Sequence, residues 1–388
     1  MISYYTQLHN KERCIMQERV FRAPGRVEIS GNHTDHQRGK VLAAAIDLDI
    51  VCTAKTNGTN LVRIVSQETG ESIVDLSDLN PQDDEKGTTA SLIRGVASWF
   101  HNHGYGTGGF DGFVKSNIPV GVGLSSSAAF EVMVGNMFKG LFGSQISAVD
   151  IAVAGQYAEN HFFGKPCGLM DQTASSCGGL LMIDFNEPSK PEITPIESEI
   201  PGYEICVVAT GSSHENMTEE YAGIAIEMRT IAEHFNASEL RDVEAGVFLA
   251  SLKELRKYGD RAVLRAMHFF NENDRVSRQA AALREGRIHD FLRLVSESGR
   301  SSLQYLQNAY IPTKHKQQGL VLAMALCEQI LGDNGAYRIH GGGFAGTILA
   351  FLPEDLKNQF ESVMSGVFGT GCCHFLNINR EGGRESAG

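Results

Sequence analysis

Four short segments of this chain combine residue types that can hold or activate a small polar ligand. In PVGVGLSSSAAF, from Pro119 to Phe130, Gly121 and Gly123 let backbone N–H groups turn inward without a Cβ in the way. Leu124 then leads into Ser125, Ser126, Ser127 and Ala128. These serines open a helix whose first N–H groups are unpaired and whose dipole favours an anion. In physical terms that is a phosphate cradle, although a tight strand-to-helix turn with serine caps has the same letters. No GK[ST] follows and a third glycine is missing, so the segment is neither a Walker A loop nor a dinucleotide fingerprint. APGRVEISGNHTDH, from Ala23 to His36, brings Arg26, Asn32, His33 and Asp35 into a glycine-bounded loop. It offers a charge partner and hydrogen-bonding groups to a polyhydroxylated ligand, or is simply a polar surface turn. In CGLMDQ, Asp171 follows an apolar pair and suits a general base or a helix cap. YRIHGGGFAGTILAF has three consecutive glycines, which permit close backbone approach or a plain hairpin.

The elements that position these segments alternate between strand and helix. VFRAPGRVEIS and VLAAAIDLDIVCTAK read as strands flanking the Asn32–Asp35 loop, and LVRIVSQ and SIVDL alternate as further strands. TTASLIRGVASWFHNHG is an amphipathic helix ending in glycine. GFDGFVKSNIPV is a strand that runs into the 121–128 loop and its helix, and ISAVDIAVAGQYAENHFF continues as one more helix. LLMIDF and YEICVVAT are strands, residues 215–310 are mostly helical, and the remainder mixes helix with the strands YRIH, TILAFL and CHFLNI. An N-terminal helical stretch is expected before residue 20, and NREGGRESAG is expected to fray. The pattern predicts two α+β domains meeting near residues 195–215.

Composition narrows the function. The 388 residues carry 34 Lys plus Arg against 46 Asp plus Glu, a net charge of −12. That excludes a broadly basic surface of the kind non-specific nucleic-acid binding requires, but not a local anion site. No apolar run approaches the ~18 residues of a membrane helix, and MISYYTQLHNKERCIM has no signal-peptide pattern, so a cytoplasmic protein without membrane partners is expected. The eight cysteines are scattered without zinc spacing and are expected to be reduced. The 42 glycines, about 11% of the chain against an ordinary ~7%, are the compositional oddity.

Taken in order, the Arg26–Asp35 loop, PxGxGLSSSAA, AENxFxGxxCGxMDQ and the late GGGFxG resemble the GHMP small-molecule kinases, and within them the galactokinase family. RAMHFFNENDRV, from Arg265 to Val276, is similar to the family segment RARHVVTENERV. The resemblance implies a two-domain α+β GHMP kinase fold. Its ribosomal-protein-S5-like N-terminal domain would span 1–200 and its ferredoxin-like C-terminal domain 201–388, with the active site between them. It implies an ATP-dependent sugar 1-kinase, converting galactose to galactose 1-phosphate. Asp171 would stand at the anomeric hydroxyl as base, with Arg26 beside it and the transferred phosphoryl group. ATP would lie on Gly121, Gly123, Leu124, Ser125, Ser126, Ser127 and Ala128, with Mg²⁺ on Ser127 and Glu159. Asn32, His33, Asp35, the backbone of Gly168 and Tyr221 match sugar-binding positions, and a monomer or weak homodimer is expected.

Four departures bear on the sugar. The family's GRVNLIGEHTDY is GRVEISGNHTDH here, placing Glu28 for Asn, Asn32 for Glu and His36 for Tyr, and MTGGGFGG is IHGGGFAG at His340 and Ala345. An amide at 32 donates as well as accepts. The expectation is therefore a changed preference at C6, admitting galactose, a 6-deoxy sugar or a uronic acid. Another GHMP alcohol such as mevalonate or homoserine fits GNHTDH and CGLMDQ poorly. A silent sugar-and-ATP sensor is the remaining alternative, and intact Arg26, Ser127 and Asp171 argue against it.

Overall fold

The computed structural model describes residues 18–386 except 166, 189, 199, 212–217 and 345. The helical stretch expected at the N-terminus lies outside the described residues. Two sheets organise the rest. The first has eight strands in the order β12-β1-β2-β5-β3-β4, with β6 pairing β2 and β7 pairing β6. These strands are β1 (Arg19–Ser30), β2 (Lys40–Thr56), β3 (Leu61–Ser66), β4 (Gly70–Asp75), β5 (Phe110–Ser116), β6 (Leu180–Asp184), β7 (Glu192–Pro195) and β12 (Arg384–Ser386). β2 is long enough to pair twice: Ile50–Thr56 runs against β5 and Lys40–Ala44 against β6. Its pairing with β1 shifts register between Pro24 and Arg26 and again between Glu28 and Ser30. Such irregularities re-aim side chains locally. Here they bracket Arg26 and Glu28.

Helices α1 (Thr89–Asn102), α2 (Ser126–Phe142), α3 (Ala148–Ala158) and α4 (Met170–Cys177) accompany the first sheet. Apolar residues at helical spacing on α1 (Ile93, Val96, Ala97, Phe100) and α2 (Ala129, Val132, Met133, Met137) join Phe21, Val27 and Ile29 of β1 in one buried core. α3 does not run straight on to Phe163 as its letters suggest. At Glu159 it widens into a π turn, Glu159–Phe163, in which the N–H of Gly164 reaches back to the Glu159 carbonyl. Single π turns of this kind re-aim side chains within a helix.

The second sheet is antiparallel in the order β11-β8-β10-β9, with β8 (Tyr203–Ala209), β9 (Ala336–His340), β10 (Thr347–Pro353) and β11 (Cys373–Leu376). Alternation along β10 covers both of its faces. Leu349 and Phe351 join the core shared with the first sheet, where Phe351 meets Phe291 edge-on at 5.3 Å. Ile348, Ala350 and Leu352 face a separate core with α8 (Gly319–Leu331) and α9 (Lys357–Phe368). Between β8 and β9 in sequence come α5 (Thr218–His234), α6 (Asp260–Arg284) and α7 (Ile288–Ser301), and α5 and α6 share a third apolar cluster.

One expectation fails. The C-terminal tail is not frayed across its described part: Val20, Phe21 and Arg22 pair antiparallel with Ser386, Glu385 and Arg384. Gly382 and Gly383 allow that return, because a Cβ at either would meet Ser176 or Val132 at 2.1 and 2.4 Å. The seven described cysteines carry free thiols.

Candidate active site

The site is built on the bulged half of β1. The backbone N–H of Arg26 donates to the Leu124 carbonyl at 3.1 Å, tying the strand to the glycine loop. The guanidinium, 6% exposed, forks onto Asp171 in the first turn of α4, with Nε–Oδ1 at 2.6 Å and Nη2–Oδ2 at 2.7 Å. Its remaining Nη1 donates to the Gly123 carbonyl, and the Ser125 hydroxyl donates to Asp171 Oδ2. Burial alone would raise the Asp171 carboxyl, but Arg26 and Ser125 outweigh it and hold the group below its ordinary value. The carboxylate is therefore ionised and aimed, with both oxygens bonded.

The 119–125 loop presents its glycines outward by burying the aliphatic residues that alternate with them. Val122 and Leu124 are buried, whereas Gly121 and Gly123 are exposed at φ +78° and +73°. Ser125 also adopts a left-handed conformation, φ 56°, and caps α2, which begins Ser126–Ser127–Ala128. A non-glycine residue held there is strained, a feature that clusters at functional sites.

On the opposite side of Asp171 lies Asp35. Its Oδ2 sits 2.0 Å from where a Cβ on residue 168 would be, so any side chain at 168 would displace the Asp35 carboxylate. Burial, and then the charge of Asp171, push the Asp35 carboxyl up to about 6. His33 Nε2 donates to the Gly342 carbonyl at 3.0 Å, which leaves Nδ1 to accept from His36 Nε2 at 3.2 Å. Burial pulls His33 down to about 3 and His36 to about 4, so both rings are neutral at pH 7. Tyr221 of α5 donates from its hydroxyl to the Gly343 carbonyl at 3.1 Å and lies flat against Gly342.

Glu159, at the π turn, accepts from Gln172 Nε2 at 3.0 Å and pairs with Lys165 at 3.4 Å. The same Gln172 amide donates to Glu131 at 2.9 Å. Burial and the neighbouring Glu159 raise Glu131 well above its ordinary value, and its Oε1 has no partner. Among the described residues no trio of His, Cys, Asp or Glu is arranged to hold a metal. A hydroxyl at Ser127 and a carboxylate at Glu159 nonetheless suit Mg²⁺, which takes one or two protein oxygens and completes its shell with water and phosphate. Two carboxylates sharing one amide donor fit a dication as well.

Two family models match the sequence. The galactokinase galactose-binding signature covers residues 6–56 and the GHMP kinases N terminal domain covers residues 91–179. Among solved structures, Lactococcus lactis galactokinase complexed with galactose superposes with a TM-score of 0.82 at 23% identity, covering 99% of each chain. Mevalonate kinase from Methanococcus jannaschii gives 0.66 at 14% identity, covering 93% of this chain and 98% of that one. A D-glycero-D-manno-heptose 1-phosphate kinase from Bacteriodes thetaiotaomicron gives 0.64 at 15%, covering 95% and 98%. The fold is that of the two-domain GHMP kinases. The matches together point to the GHMP galactokinase family. They support phosphotransfer to a small-molecule acceptor.

The galactokinase signature covers β1, the Asn32–Asp35 loop and all of β2, and the GHMP segment carries Gly121–Ala128, Glu159 and Asp171. Of these residues, Arg26, Ser125 and Asp171 bond directly to one another, whereas Asn32 spends its side chain on four other partners. Its amide donates to Glu28 Oε1 at 3.1 Å and to the Gly341 carbonyl at 2.6 Å, and its Oδ1 accepts from Asn308 at 2.8 Å and Ser302 at 3.3 Å. The two positions where amide and carboxylate trade places relative to the family pattern thus touch each other. Glu28 also pairs with Arg338 of β9 at 2.7 Å, and both are buried. Asn308 and Ser302 belong to no motif, and Arg338, although within YRIHGGGFAGTILAF, is not singled out by the sequence. His340 was noted only as a departure. Its sole sequence signal is the position next to Gly341.

Proposed function

We propose that this protein transfers the γ-phosphoryl group of ATP to the anomeric hydroxyl of galactose or a close relative of it. The observation that carries this is the joint of Arg26, Asp171 and Ser125, which couples the acceptor side to the phosphate loop through one carboxylate. In this reading Asp171 orients the hydroxyl and takes up its proton. A carboxylate held below its ordinary value is a weak base, which suffices because a loose phosphoryl-transfer transition state needs little base assistance. Arg26 faces the developing charge between acceptor and phosphate. The backbone from Gly121 to Ala128 cradles the triphosphate. Ser127 and Glu159 would hold Mg²⁺, which when bound neutralises phosphate charge.

Asp35, His33, Tyr221 and the Gly168 backbone form the sugar side. Asp35 supplies acceptors, and the neutral His33–His36 pair beside it adds no fixed positive charge, as suits hydroxyl groups. Residues 1–200 and 201–388 serve as the two domains in this reading, with β12 returning to the first. The reading is tested by ADP release coupled to a sugar panel of galactose, 6-deoxygalactose, galacturonate, glucose and mevalonate. Turnover with galactose or its C6 relatives is expected. Turnover with mevalonate alone, or with none of them, overturns it.

A further inference from the structure

Glu28 and Asn32 stand where the two sheets meet, and the second sheet grips both. Alternate residues of β9 hold Glu28 at three atoms. Its N–H donates to His340 Nε2 at 3.1 Å, its carbonyl accepts from Arg338 Nη1 at 3.2 Å, and its Oε1 accepts from Arg338 Nη2 at 2.7 Å. Because His340 Nε2 accepts, Nδ1 carries the proton and donates to Thr347 Oγ1 at 3.1 Å, which reaches β10. A buried ion pair adds little net stability over an apolar pair, but it is a strong device for registration. Sliding β9 along β1 by two residues would break all three bonds.

Asn32 continues the grip into the glycine loop. Two N–H donors and two lone pairs exhaust an amide, and all four are used on Glu28, Gly341, Asn308 and Ser302. Its backbone is occupied as well, since His268 Nε2 bonds to the Asn32 carbonyl at 2.9 Å. Nothing in that side chain remains for a sugar hydroxyl. The loop is then held carbonyl by carbonyl: Gly341 by Asn32, Gly342 by His33 and Asn308, Gly343 by Tyr221.

We propose that Glu28 and Asn32 form a latch between the sheets, and that Asn32 is a positioning residue that sets the 341–344 loop, whose flanking His340 and Thr347 face Gly123, rather than a reader of the sugar. The latch relies on the sugar-kinase reading only for its kinetic readout. Asn32→Asp keeps the shape, removes both donors and sets a carboxylate against the Gly341 carbonyl and Glu28. Amide hydrogen exchange at residues 341–344 is expected to rise about tenfold, the scale of one lost hydrogen bond. The ratio kcat/KM is expected to fall by a similar factor for galactose, 6-deoxygalactose and galacturonate alike. Unchanged exchange overturns the latch. Faster exchange with a shift of more than about threefold in the relative kcat/KM of the three sugars overturns the positioning role, since a uniform loop displacement does not discriminate at C6. If Asn32→Asp does not fold, Asn32→Ser, uncharged and of shorter reach, takes its place with the same readouts. If the unaltered enzyme turns over none of the sugars, the functional reading falls, and the exchange measurement alone still decides the latch.

Discussion

The two glycine loops of the site are shaped by opposite means. In the 119–125 loop the backbone shapes itself. Gly121 lies at φ +78° with open space where a side chain would be, Val122 and Leu124 anchor the loop from below, and Val120 is 75% exposed. At Gly342 and Gly343 of the second loop the neighbours do the shaping. A Cβ on Gly342 would meet the Tyr221 ring at 2.3 Å, and one on Gly343 would meet the Asn308 carbonyl at the same distance. The difference separates two uses of glycine. The first loop leaves its upper side clear for a ligand, and the second is packed shut by protein and fixed relative to the first.

The largest expected effect isolates the chemistry from the first loop's shape. Asp171→Asn should lower kcat about a thousandfold, while the Kd for ATP, measured by titration calorimetry, changes little. Lost ATP binding with retained turnover would contradict the roles assigned to both. Next comes the packed loop. Gly343→Ala combines a backbone clash with φ +83° and should destabilise by about 2–3 kcal/mol in denaturant unfolding. For Gly342→Ala, the clash is with a side chain, so Tyr221→Ala in the same chain should restore stability while weakening the sugar KM.

A smaller effect concerns pH. Asp35 offers both oxygens as charged acceptors to hydroxyls only when ionised, and its carboxyl is raised to about 6. The sugar kcat/KM should therefore fall as the pH drops through 6, by about tenfold at pH 5. In Asp35→Asn that limb should vanish from a lower baseline, and an unaltered limb assigns it to another group. The smallest effect belongs to the open loop. Gly121→Ala should cost about 1 kcal/mol of stability, from backbone conformation alone. Equal unfolding losses in Gly121→Ala and Gly343→Ala would break the contrast between the loops.

Much of the fold was legible because its signals are local. Period-two alternation marked β3 and β4, apolar segments marked the other strands among β1 to β6 and β8 to β11, and glycine and serine marked the turn into α2. The catalytic candidates were legible because Arg26, Ser125 and Asp171 each sit within a dense motif, and the structure bonds them together. What escaped depends on pairing across long sequence separations. Glu28 and Arg338 are 310 residues apart, and neither letter announces the other. Asn308 reaches Asn32 across 276 residues from a segment with no pattern of its own. β7 and β12 are too short to alternate visibly, and β12 contains only polar and charged residues. The π turn was hidden because ENHFF satisfies a helical period whichever carbonyl its N–H groups choose.

The pairing of β12 with β1 also imposes a timetable on synthesis. Arg19 and Glu385 meet across 366 residues, which at 5–20 residues per second is a delay of roughly 20–70 s on the ribosome. During that interval the outer side of β1 is an open strand edge, a template for pairing with another chain. Arg26 and Glu28 lie on this same strand, so the strand that carries the chemistry is also the one whose flank is covered last. A chain released before residue 384 would retain every motif of the site and still expose that edge.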